Sequence, residues 1–307
     1  MTMRDVFFNG LYEYAKQDHN IIVVSADFSA PSLDQFRLNL PNQYIFAGIS
    51  EQSMILLATG LALEGKKVFC YAIAPFLTMR CFEQIRNYPA GMDLPITLVG
   101  VGAGLSYDDS GYTHHAVEDI AIMRALPNMC VLQPCDNTDV RQMLELVMKS
   151  AHPFYLRLDR YGIEELFPGR RDIGSGFHIV KNVQPVTIVA SGSMLRAALE
   201  AYETLEREGL PVGVVNLTSI PLDGEAFERS MAGVRTVVSI EEHTLSGGIG
   251  GYLLELISDR AMDIRVKRLG LDLTGGFVEQ FGGRTAFYQN YHIDPKAVTA
   301  VVKNAIG

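Results

Sequence analysis

Short apolar runs alternate with helical patterns along almost the whole of this chain, and that alternation restricts its fold most severely. Runs at Ile21–Ala26, Lys67–Ile73, Pro95–Val101, Cys130–Gln133 and Phe154–Leu158 have strand length, and several are continuous Val/Ile stretches. A strand covered on both faces reads this way, because neither side of the sheet meets water. Helical patterns lie between them, near Arg4–Gln17, Glu51–Glu64, Leu77–Tyr88, Ala116–Arg124 and Thr138–Ser150. Strand, helix and strand in this order predict βαβ units and a mostly parallel sheet with helices on both faces.

The pattern breaks once. Residues 167–176 (Phe-Pro-Gly-Arg-Arg-Asp-Ile-Gly-Ser-Gly) combine turn formers and charge without periodicity, as a linker does. It restarts with Val186–Ala190, a helix over Ser193–Glu208, Val212–Leu217, Thr236–Glu241, a helix over Gly248–Asp259, Ile264–Gly270 and a last helix at Pro295–Ile306. The expected architecture is therefore α/β, with two doubly wound domains at 1–170 and 180–307. At 307 residues each can hold a full core.

Composition removes some classes of function. A net charge of −9, with no Lys/Arg run, argues against a nucleic-acid surface. No apolar run is long enough to span a bilayer, and no stretch has the form of a signal peptide. Cys70, Cys81, Cys130 and Cys135 lack paired CxxC spacing, and most lie in or beside apolar segments. Reduced thiols and a cytoplasmic location are expected.

In open α/β sheets, ligands bind beyond the carboxyl ends of the strands. Four places there carry unusual residues. Asp27 follows the first strand in Ser25-Ala26-Asp27-Phe28-Ser29, and Phe76 follows the second in Ala74-Pro75-Phe76-Leu77. A polar loop from Gly102 to His115 ends with two histidines expected to open a helix. In Gly48-Ile49-Ser50-Glu51-Gln52, Glu51 stands where the extended segment Tyr44-Ile45-Phe46 turns into an apolar helix expected to be buried on most sides. Burial would raise the pKa of a carboxylate with few local partners and poise it for proton transfer. The plainer reading is an acid placed at the positive end of a helix dipole. Dinucleotide, P-loop and serine-hydrolase motifs are absent, and His114-His115 lack the spacing of helical zinc ligands. Gly247, Gly248, Gly250 and Gly251 open a helix soon after Glu241-Glu242-His243; they could hold an anion, though tight helix–sheet packing is the commoner use. The Glu242-His243 pair reads as structural or interfacial.

Glu51 with its Gly-Ile-Ser-Glu-Gln context, then Phe76-Leu77, then Gly111-Tyr112-Thr113-His114, then Leu126-Pro127-Asn128-Met129, resembles the pyrimidine-binding domain of transketolase. Deoxyxylulose phosphate synthases look similar too, in Phe76-Leu77 with Arg80 and in the stretch from Glu242 to Gly251. The resemblance covers essentially the whole chain, the pyrimidine-binding domain and the C-terminal domain that follows it. It implies a thiamine-diphosphate enzyme that transfers a two-carbon ketol unit, or joins a decarboxylated 2-oxoacid to an aldehyde. Glu51 would hydrogen-bond the aminopyrimidine ring nitrogen and favour the imino tautomer. Phe76, with Phe82, would form the pyrimidine pocket, and Asp27 would lie near the cofactor. His114 would meet the substrate, and Arg4 and Arg160 would grip a sugar phosphate.

Two departures bear on substrate and assembly. Ser110 stands where transketolase has the aspartate of Asp-Gly-Pro-Thr-His, with Asp109 beside it, and a histidine expected earlier in the loop falls near Gly102. These changes weigh against ordinary pentose phosphates. Gly-Asp-Gly, which marks the diphosphate-binding domain, occurs nowhere. The implied arrangement is an α2β2 complex in which an N-terminal subunit largely holds diphosphate and Mg²⁺. Two other readings remain at this point, the β subunit of a 2-oxoacid dehydrogenase and a non-catalytic paralogue.

Overall fold

The structure is a computed structural model that describes the chain apart from residues 28, 29, 164, 168 and 278–281. Phe28 and Ser29 of the first strand-end loop, and Pro168 of the linker, therefore lie outside the described residues. The first half runs α1 (Met3–Ala15), β1 (Ile21–Ser25), α2 (Asp34–Asn39), β2 (Tyr44–Phe46), α3 (Glu51–Leu63), β3 (Lys67–Ile73), α4 (Ala74–Thr78), α5 (Phe82–Ile85), β4 (Ile96–Val101), α6 (Asp119–Arg124), β5 (Cys130–Leu132), α7 (Asn137–Lys149) and β6 (Phe154–Leu158). The second runs β7 (Phe177–Lys181), β8 (Val186–Ser191), α8 (Met194–Arg207), β9 (Gly213–Leu217), β10 (Ser219–Ile220), α9 (Gly224–Ser230), β11 (Thr236–Thr244), α10 (Ile249–Asp259), β12 (Arg265–Leu271), α11 (Arg284–Asn290) and α12 (Pro295–Ile306).

Two sheets result, with orders β10-β5-β6-β4-β3-β1-β2 and β12-β11-β8-β9-β7. Every pairing among β1–β6 is parallel, as is every pairing among β8, β9, β11 and β12. Strand β1 shows why. All five of its residues are buried. Ile21 and Val23 join one core with Phe7 and Phe8 of α1, while Ile22 and Val24 join another with Met54 and Ile55 of α3. Side chains alternate across the sheet, so a continuous apolar run feeds both faces. The antiparallel edge strand β7 and the short α2, α9 and α11 carry too little periodicity to be read from sequence.

Strand β10 breaks the expected separation of the sheets. Ser219 and Ile220 leave the second sheet and pair antiparallel with Leu132 and Val131 at the edge of the first. The core on that side also runs on into the second half, through Phe177, Val215, Phe227 and Leu253.

Three expected elements differ. The helix expected over Leu77–Tyr88 is broken into α4, α5 and a π turn at Arg86–Ala90; Pro89 lies inside that turn, where a residue without an N–H cannot complete an α-helical ladder. The helix expected from Ala116 begins at Asp119, so His114-His115 do not open it. Ala116 instead exchanges backbone hydrogen bonds with Gly104 (3.1 and 2.9 Å), which holds the chain extended, and His114 ends a 3-10 turn. Helix α3 is buried on one face only. Leu56 (48% exposed) and Leu63 (58% exposed) lie on its open side, uncovered by the rest of the chain.

The segment before β7 is anchored by one buried cation. Arg171 reaches Asp136 at 2.7 Å and Asp139 at 2.7 Å at the start of α7, and all three side chains are buried. Cys135, Asp136 and Asp139 come close enough to resemble a metal site, but the guanidinium sits among them. Burial pushes the Asp136 carboxyl up, yet Arg171 and the amides of Leu166 and Asp139 outweigh it and hold the carboxyl below its usual value. A depressed folded pKa stabilises the fold above the unfolded value near about 4, and the benefit fades as pH falls through the folded value. Replacing Arg171 by Met should cost about 3–5 kcal/mol in urea unfolding at pH 7, because two buried carboxylates lose their counter-charge. The deficit should shrink as Asp136 protonates in acid. A neutral-pH loss under about 1 kcal/mol would show that the cluster does not anchor the linker.

Candidate active site

Five neighbouring strands, in the order β6-β4-β3-β1-β2, bring their carboxyl ends to one edge of the first sheet. The chain steps from β1 to β2 in one direction and returns to β3 on the other side of β1. Such a reversal opens a crevice beyond the strand ends. Asp27 follows β1, Phe76 lies in α4 directly after β3, the loop 102–115 follows β4, Arg160 follows β6, and Glu51 starts α3 after β2.

Glu51 is buried, at 3% exposure, but it has a partner. Arg80 Nη1 donates to Glu51 Oε2 at 2.8 Å. Arg80 is half-exposed and lies over the Phe76 ring, 4.4 Å from its centre. The expectation of few local partners holds, but the carboxylate is not alone: its counter-charge comes from a residue 29 positions away. Among the described residues Oε1 makes no hydrogen bond, so one oxygen stays available at the crevice. The Phe76 ring then meets His114 edge-on at 5.1 Å, and His114 meets Tyr107 at 5.8 Å. Thr113 Oγ1 engages His114 Nδ1 at 3.1 Å, which leaves Nε2 as the outward nitrogen.

A second group continues from Tyr107. Arg160 lies 4.6 Å over its ring and pairs with Asp109 at 2.7 Å, and Ser110 Oγ donates to the same carboxylate oxygen. Arg4 Nη1 donates to the Tyr71 hydroxyl at 3.3 Å, and Tyr71 in turn donates to Asp27 Oδ2 at 3.2 Å. Burial raises the Tyr107 hydroxyl pKa, and the nearby Asp27 charge raises it further. Glu51, Phe76, His114, Arg160 and Ser110 are thus drawn into one chain of contacts, and Arg4 and Asp27 into a second, whose charges reach Tyr107. Phe82 is in neither: it packs, half-buried, on the apolar core beneath α3. Tyr71 and Tyr107 carry no signal that distinguishes them in sequence. The spacing of Arg80 from Phe76, four residues on, was such a signal.

Gly102 explains the missing histidine. Its φ of +103° lies outside the range L side chains favour, and a Cβ there would enter the Tyr107 ring. The tyrosine fills the space a side chain would need. The glycine cluster opening α10 binds no external anion, because Glu241 accepts from Ile249 N (2.6 Å) and Gly250 N (3.0 Å). Burial pushes that carboxyl up to about 7 against the pull of the two amides. Glu242 and His243 are both buried where the two halves meet. Gly102→Ala should displace Tyr107 and cost roughly 1–3 kcal/mol in urea unfolding. Tyrosine fluorescence should report the ring's movement, and an unchanged midpoint would refute the role assigned to the glycine.

Known proteins resemble this chain in sequence and in fold. The family model "Transketolase, pyrimidine binding domain" matches residues 1–163, and "Transketolase, C-terminal domain" matches residues 177–298. A "Putative transketolase C-terminal section" of Methanocaldococcus jannaschii is 33% identical over 276 residues, covering 88% of this chain and 86% of that protein. One of the subunits of an apulose-4-phosphate transketolase of Phocaeicola vulgatus is 30% identical over 271 residues, covering 87% and 86%. A solved structure described as "Split gene transketolase, inactive beta4 tetramer" superposes with a TM-score of 0.87 at 32% identity, over 100% of this chain and 98% of that one. The chain therefore belongs to the transketolase family, with a pyrimidine-binding domain followed by a C-terminal domain.

Proposed function

We propose that this chain is the C-terminal subunit of a split transketolase and moves a two-carbon ketol unit from a small sugar donor to an aldehyde. The observation that carries this reading is Glu51, buried yet with one carboxylate oxygen uncommitted, beside Phe76 and His114 at the strand ends. That arrangement fits an aminopyrimidine ring. Thiamine diphosphate, when bound, supplies the group that stabilises the carbanion. Glu51 would hold the ring through a proton shared with its nitrogen, and Phe76 would offer it a flat apolar face. Arg80 is half-exposed, so its guanidinium can swing into water, and the buried Glu51 then needs the new partner that the ring nitrogen would supply. His114 Nε2 donates to a substrate oxygen, while Arg160 and Arg4 meet the far end of the sugar. The relatives named above are transketolase parts, which supports ketol transfer over delivery of an acyl group to a lipoyl domain.

In this reading the active site is completed by an N-terminal subunit, which holds the diphosphate and Mg²⁺ in an α2β2 assembly. Two features support it. The sequence has no Gly-Asp-Gly, and α3, the helix that Glu51 starts, leaves Leu56, Leu57 and Leu63 open to solvent. Apolar side chains in such a row are a surface for another protein chain.

The test is co-purification with the protein encoded beside this chain, in thiamine diphosphate and Mg²⁺. The complex should bind cofactor that neither chain binds tightly alone. Glu51→Gln should lower ketol transfer by about 10²–10⁴-fold with the circular dichroism spectrum unchanged. A variant complex of wild-type activity would remove Glu51 from the mechanism, and turnover by the isolated chain would remove the partner.

A further inference from the structure

The substrate side of the site is held from outside the pyrimidine-binding domain. Arg284, the first residue of α11 in the C-terminal domain, is the point of attachment. Its backbone N–H donates to Asp108 Oδ2 at 2.7 Å. Its guanidinium pairs with Asp159 at 2.7 Å and with Glu242 through both Nε (2.8 Å) and Nη2, and Nη2 also donates to Ser193 Oγ at 2.9 Å. Asp108 and Asp159 each stand one residue before a member of the Asp109–Arg160 ion pair. One residue of the second domain thus grips, through their carboxylates, the residues directly before both halves of that pair.

Two ring contacts extend the grip along the loop. Tyr112 stacks on Phe277 at 5.4 Å with planes only 13° apart, and His115 meets Phe287 edge-on at 5.5 Å. His114 lies between those two anchored neighbours. Glu242, which orients the guanidinium, closes over Gly104, where a Cβ would collide with its carboxylate. The pairs are buried: the Arg284 side chain is 17% exposed, Asp159 3% and Glu242 1%. Buried ion pairs with several fixed partners tolerate few alternative geometries, so they transmit position well.

We propose that Arg284 is a positioning residue for the substrate loop, so that the C-terminal domain sets the placement of His114, Asp109 and Arg160. This rests on the transketolase reading for its kinetic consequence and on the fold alone for its structural one. Lysine at 284 keeps the charge but loses the planar fork that engages Glu242 and Asp159 together. Phe277→Ala removes only a half-exposed stack and leaves the buried pairs intact.

Hydrogen exchange on the full chain separates the two parts. In Arg284→Lys the amides of residues 105–115 should exchange at least about tenfold faster, with those of β8 and β11 unchanged, and Phe277→Ala should loosen the same loop by a smaller factor. In the complex with the N-terminal subunit, Arg284→Lys should raise KM for the sugar about tenfold with kcat within about twofold. Loop exchange at the wild-type rate in both variants overturns the proposal, and so does a loosened loop with unmoved KM. A wild-type complex without ketol transfer would sink the assigned reaction while the exchange result still stood.

Discussion

Charge buried between the two sheets fixes how the halves of this molecule meet. Arg157 of β6 donates to Asp119 at 2.7 Å and to the backbone carbonyls of Ala116 and Glu242 at 2.8 and 3.1 Å. Tyr155 supplies a further donor to Asp119 at 2.6 Å. Arg284 answers from the other side with Glu242 and Asp159. An unpaired cation in this position would cost several kcal/mol, and each of these is matched by groups from both domains. Only one relative placement satisfies them all. Apolar packing between the sheets adds area but accepts small slips, whereas this network does not.

The same network accounts for a paradox of the substrate loop. Its composition is that of a mobile surface segment, with Gly, Ser, Asp and Tyr and little periodicity. Yet Leu105 and Ser106 are almost wholly buried, and Gly104 pairs with Ala116 across the base of the loop. His243, fully buried behind α6, has its pKa lowered to about 4 by burial, although the charge of Asp119 pulls the other way. A neutral ring there donates Nδ1–H to the carbonyl of Thr244 at 2.8 Å and adds no charge to balance. Catalytic and binding side chains gain from such support, since a reacting geometry must be held against thermal motion.

Much of the fold was legible because burial on both faces leaves a plain trace. Val186–Ser191 and Gly213–Leu217 are continuously buried and mostly apolar strands, and α8 separates its buried residues Leu195, Ala198, Ala201 and Leu205 from an exposed charged side. Strand β10 left no such trace, because two residues carry no period. Site residues at strand ends could be read for the same topological reason that the sheet could. What could not be read was pairing across long sequence separations. Glu51 finds Arg80 only once α5 packs against α3, and Arg171 is a linker residue by composition but a buried anchor by contact. Local sequence reports local geometry; ion pairs between distant elements depend on the whole fold.

Helix α3 ties site and assembly together. A helix inside a single domain needs one apolar face, and its other face is ordinarily polar. Here Leu56, Leu57 and Leu63 lie opposite Met54, Ile55 and Ala58, so the helix is apolar on both sides although its own domain covers one. The carboxylate that starts it is buried, and among the described residues only one of its oxygens is hydrogen-bonded. A half-covered helix and a half-used carboxylate at one edge have a common explanation in a second protein surface. That surface would bury the leucines and close the crevice in the same step. Covering the apolar face would then stabilise the assembly, and excluding water from Glu51 would strengthen each interaction the carboxylate makes. Assembly and activation of the site would be one event, which is how a chain carrying half of a site can be harmless alone and competent in a complex.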